Sequence, residues 1–137
     1  MVFSTASGAI ASPHFPLAYP SSQDCVYKIQ VLPGMVISLD FPQFALKIPA
    51  SPDNGTAMEN CEDYVEVYEG LMDPRRRYFR HCGFYKPPQI LTGSNVAYIK
   101  FHSSKSALPL YTGFRAFYSA GIVIAFDIFY DGGQYIM

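Results

Sequence analysis

Asn60-Cys-Glu-Asp-Tyr-Val-Glu-Val-Tyr-Glu-Gly70, closed by Arg80-His-Cys-Gly83, is the stretch on which the fold turns. From Tyr64 the side chains alternate, with Tyr64, Glu66 and Tyr68 on one face and Val65 and Val67 on the other. Successive side chains of an extended chain point to opposite sides, so the pattern describes a strand half in a core and half in solvent. Gly70 ends it, and residues 78–82 read as a second extended run. A bridge between Cys61 and Cys82 would staple these neighbouring strands, and closing a loop of that length stabilises by roughly 3 kcal/mol in the chain-entropy account.

The same period of two recurs on both sides of this stretch. Cys25, Tyr27, Ile29 and Val31 share one side of a run whose other side carries Lys28 and Gln30. Pro33-Gly34 is a turn signal, after which Met35, Ile37, Leu39 and Phe41 face inward. Ala97, Ile99 and Phe101 share a face of a later run. Short alternating strands ended by Pro or Gly predict an all-β, two-sheet antiparallel β-sandwich, with Met35, Ile37, Leu39, Val65, Val67, Ile99 and Phe101 in its core. Gly8, Pro13, Pro16 and Pro20 confine the opening segment to a short edge strand and an irregular turn.

Composition bounds the function classes. A chain of 137 residues, half of them apolar or aromatic, suits one domain with its own core. A net charge of −1 and a low charged fraction give no nucleic-acid footprint. The apolar run near residues 121–126 is too short to span a bilayer, and the first residues lack the basic and apolar regions of a signal peptide. Enzyme signatures are absent: there is no Gly-x-Ser-x-Gly elbow, paired-histidine metal motif or phosphate loop. A zinc site from Cys61, Cys82, His81 and His102 would match no zinc spacing, and a disulfide explains the same cysteines better.

Several segments in register resemble the CUB domain, the extracellular module of complement proteases, tolloid-like metalloproteases, cubilin-like receptors and spadhesins. Cys61-Glu-Asp-Tyr-Val-Glu-Val-Tyr-Glu-Gly70 with Cys82-Gly83 is similar to its central signature. Gly8-Ala-Ile-Ala-Ser-Pro-His-Phe-Pro-Leu-Ala-Tyr-Pro20 resembles its opening, Cys25-Val-Tyr-Lys-Ile29 its second cysteine, and Thr112-Gly-Phe-Arg-Ala-Phe-Tyr118 its closing strand. The resemblance covers residues 3–119 and leaves 120–137 as a C-terminal extension: an added edge strand, the start of a next module, or a tail. It implies a jelly-roll-like sandwich and a Cys61–Cys82 disulfide. Cys25 is the odd one of three cysteines. Its partner in the family would fall at or before Met1, so Cys25 is expected to be unpaired here, in a fragment beginning just after that cysteine.

The family has a calcium-binding branch whose site takes a Glu and two Asp from three loops. Aligned by motif, this sequence keeps only Asp63; Lys47 stands in place of the Glu and Ser104 in place of the second Asp. Calcium needs several carboxylates among its oxygen ligands, and an ammonium repels it, so the site is expected to be dead, with Lys47 paired to Asp63 instead. No metal or other cofactor is expected. Arg75, Arg76 and Arg77, with Arg80 and His81, form the one cationic cluster, expected on a loop before a strand, where it could meet a sulfated glycan or stand solvated. Asn54-Gly55-Thr56 is an N-glycosylation acceptor in the Pro- and Asp-rich stretch 49–60. The leading expectation is a non-catalytic, calcium-independent extracellular module, secreted or in a receptor ectodomain, that binds a protein ligand or neighbouring domains. The alternatives are a spadhesin-like glycan or heparin binder using the arginine loop, and an accessory domain of an extracellular protease.

Overall fold

The computed structural model describes residues 1–49, 60–106 and 109–122. Among them the strands are β1 (Val2–Phe3), β2 (Ser7–Ala11), β3 (Asp24–Gln30), β4 (Met35–Ala45), β5 (Tyr64–Glu69), β6 (Arg77–His81), β7 (Ile90–Leu91), β8 (Val96–His102) and β9 (Gly113–Ile122). They form one sheet in the order β1-β3-β8-β5-β6 and a second in the order β2-β9-β4-β7. Every pairing is antiparallel except β1 with β3, which is parallel. The two-sheet antiparallel sandwich predicted from the period of two is the fold formed.

The inward positions meet where the alternation puts them. Register sets Val65 opposite Phe101 and Val67 opposite Ile99, and all four side chains are fully buried. Ile37 and Leu39 are buried on the facing sheet, while Met35 packs at the margin, partly buried. Phe114 on β9 joins the sheets: its ring meets Phe101 at 5.7 Å and Phe41 at 5.8 Å, both edge-on, the geometry aromatic quadrupoles favour.

Strict alternation fails on β4. Phe41 and Phe44 both point inward although three positions apart, because the register against β9 shifts between Asp40 and Gln43. Pro42 lies in the shift, where a residue without an N–H can be accommodated by a bulge.

Cys61, just before β5, and Cys82, just after β6, are joined by the disulfide, with Cα atoms 6.0 Å apart. β9 pairs with β4 as far as Ile122 opposite Met35, so the expected domain limit at residue 119 falls inside a strand. Asn54 and residues 123–137 lie outside the described residues.

Candidate functional site

The segments around Asp63 converge at one end of the sandwich. Asp63 directly precedes β5, and its carboxylate is fully buried. The Tyr19 hydroxyl donates to its Oδ2 at 2.6 Å, and the backbone amide of Ser104 donates to its Oδ1 at 2.8 Å. The Lys47 amide in turn donates to the Tyr19 hydroxyl oxygen at 3.2 Å. One buried carboxylate thus ties the turn before β3, the chain leaving β4 and the loop after β8. Burial pushes the Tyr19 phenol far above its ordinary pKa, and its bond to Asp63 adds to the shift, so the group stays a neutral donor.

Lys47 does not pair with Asp63 as expected. Its Nζ lies 2.6 Å from Glu62 Oε1, because Asp63 turns into the protein while the lysine side chain runs along the outside. The Glu62 hydrogen bond raises the Lys47 pKa, which keeps it an ammonium.

Calcium takes roughly six to eight oxygens, several from carboxylates. At this end both Asp63 oxygens already accept hydrogen bonds, Glu62 is matched by an ammonium, and Ser104 supplies a hydroxyl. Among the described residues no group of three His, Cys, Asp or Glu side chains is placed to hold a metal ion. The donors among the described residues do not make the carboxylate-rich set that calcium takes.

The arginine cluster is rearranged relative to the expected loop. Pro74–Arg76 form a 3-10 turn, and Arg77 opens β6. Asp73 caps the turn, accepting from the Arg75 amide at 2.9 Å and pairing with the Arg75 guanidinium at 2.9 Å. Arg77 and Arg80 converge on Glu66, at 2.9 and 2.8 Å from Oε2, while the Tyr68 hydroxyl donates to Oε1 at 2.7 Å. Arg76 remains at the surface.

Glu66 and Tyr68, which alternation assigns to the solvent face, are therefore covered, at 2% and 8% exposure. Burial alone would raise the Glu66 pKa, but the Tyr68 hydroxyl and the two guanidiniums outweigh it and hold the carboxyl below its usual range. Arg80 also lies over the Tyr64 ring, 4.1 Å from its centre. Tyr64 stacks on His102 at 5.1 Å, and His102 Nδ1 is 2.7 Å from Asp24 Oδ1. Alternation alone indicated the face of Glu66 but not its partners, which lie eleven and fourteen residues away. Tyr19 was likewise not picked out; a tyrosine in a Pro-rich turn carries no local signal. Cys25, partly buried on β3, forms no disulfide with Cys61 or Cys82, which are bonded to each other.

The family model described as "CUB domain" matches residues 1–118. The chain is similar to rat cubilin, at 32% identity over 81% of this chain and 3% of that protein. It is similar to human neuropilin-1, at 32% over 85% of this chain and 12% of that protein. Drosophila melanogaster dorsal-ventral patterning protein tolloid is 34% identical over 82% of this chain and 10% of its own length. The chain thus spans a small part of these relatives. Among solved structures, the MASP-1 CUB2 domain bound to Ca2+ superposes with a TM-score of 0.72 at 28% identity, over 86% of this chain and 96% of that one. The full extracellular region of zebrafish Gpr126/Adgrg6 does so with a TM-score of 0.72 at 26% identity, over 90% of this chain and 15% of that one.

Proposed function

Because this chain belongs to the CUB domain family, we propose that it acts as a non-catalytic, calcium-independent protein-interaction module of a larger extracellular protein. Family membership supports the module and its setting. The calcium independence rests on one observation: at the end of the sandwich where motif alignment puts the calcium ligands of the family's metal-binding branch, this chain carries the Lys47 ammonium against Glu62, and Asp63 is turned inward to Tyr19 and the Ser104 amide. The loops that a metal would gather are already joined by hydrogen bonds and an ion pair. We do not assign the partner to the arginine turn, since Arg75, Arg77 and Arg80 each already hold a carboxylate.

Titration calorimetry with calcium chloride tests the reading. The expected result is no saturable heat in the millimolar range. A stoichiometric binding isotherm would overturn calcium independence.

A further inference from the structure

Resting on that reading, the geometry points to the outer face of the five-stranded sheet as the docking surface, and to an acidic protein segment as its occupant. The strand registers lay out this face row by row: Asp24, His102 and Tyr64; then Val26, Lys100, Glu66 and Arg80; then Lys28, Tyr98, Tyr68 and Arg77. Charge is separated by depth across these rows. Glu66 is sunk below the surface, and Asp24 sits at one corner against His102, so the outermost charges over the middle of the face are cationic.

Lys28 and Lys100 are the cations left to meet a partner. Among the described residues neither lies within ion-pair distance of a carboxylate, and Lys28 Nζ stands 5.9 Å from the centre of the Tyr98 ring. Arg80 lies over the Tyr64 ring, its ion pair with Glu66 holding it in place. The result is a sheet surface of tyrosine rings and cations in which the guanidiniums of Arg77 and Arg80 are held by Glu66. Tyr and Arg are residue types that protein interfaces concentrate, Tyr because it presents a large area at little entropy cost, and here the entropy of Arg80 is already lost in its ion pair with Glu66. Two unpaired ammoniums spaced among neutral rings suit carboxylates alternating with apolar side chains. They suit a densely sulfated chain less well, since that needs a run of free cations. Exposed charge pairs formed this way are screened, so binding should weaken as salt is added.

The experiment uses the full chain in chelator and a fluorescein-labelled peptide in which Glu alternates with Leu and Phe, read by anisotropy. The parent should bind, with affinity falling as sodium chloride rises. Lys28→Glu/Lys100→Glu should weaken binding by about tenfold or more, as for charge reversals at a complementary face. Lys28→Gln/Lys100→Gln is the second variant, free of new repulsion beside Glu66, and should show a smaller loss. Lys105→Glu, on the loop after β8, should bind as the parent. Parent-like binding by both double variants overturns the face, as does a parent that binds a heparin fragment and not the peptide, or binds neither. If peptide binding appears only when calcium is added and is still lost in the double variants, the face stands and calcium independence falls.

Discussion

At the scale of single residues, the chain holds two buried carboxylates in different ways. Asp63 is satisfied by neutral donors and Glu66 by cations. Asp63→Ala would leave the Tyr19 hydroxyl and the Ser104 amide without an acceptor, at a cost of about 2–4 kcal/mol in urea unfolding. A loss near zero would show that water replaces the carboxylate. The acid response should come in two steps. Burial lowers the His81 pKa, with the Tyr85 carbonyl acting the other way, so the unfolded chain takes up a proton before the folded one. That contribution is present above the ordinary histidine value of about 6.5 and is lost as pH falls through the lowered one. Glu66, also lowered, contributes above the ordinary glutamate value of about 4.3 and loses its contribution below it. Melting temperatures measured against pH should show both declines, with His81→Gln removing the upper and Glu66→Gln diminishing the lower. A flat curve from neutral pH to about 4.5 in the parent would contradict the assignment of His81.

At the scale of elements, the period of two was enough to place β3, β5 and β8, because the pairings β3–β8 and β8–β5 run in unbroken register, and the one shift of β5, against β6 between Val67 and Tyr68, falls near its end. It was not enough for β4, where the shift around Pro42 turns Phe44 inward with Phe41. A bulge depends on how the partner strand pairs, which the local pattern does not contain. The entry to β9 makes a similar point about glycine. Gly113 has φ +92°, and a Cβ there would run into Ser12 Oγ, the acceptor for the Phe114 amide. Gly34 has φ +89° with nothing within 4 Å of a Cβ. Gly34→Ala should therefore cost only the backbone strain, about 1 kcal/mol, whereas Gly113→Ala adds a clash and should cost about 3 kcal/mol or more. Equal losses in denaturant melts would show that Ser12 yields freely.

At the scale of the whole molecule, the motifs between residues 8 and 118 named the fold, since each marks a strand or a turn of a known sandwich. The sites were legible in part. Motif alignment found Lys47, Asp63 and Ser104, and they do gather at one end, but it paired Lys47 with the wrong acid because the inward turn of Asp63 is set by Tyr19, far away in the chain. Net charge hid the cationic sheet face, since a total near zero says nothing of how charges are divided between surface and interior. The central claim is that this end of the sandwich is held by its own side chains and not by a metal. A ligand stabilises a fold by RT ln(1 + [L]/Kd), so a bound ion must raise the melting temperature. The direct measurement is a pair of thermal melts, one in millimolar calcium and one in chelator at matched ionic strength. Superimposable curves are predicted; a rise of several degrees in calcium would contradict the account.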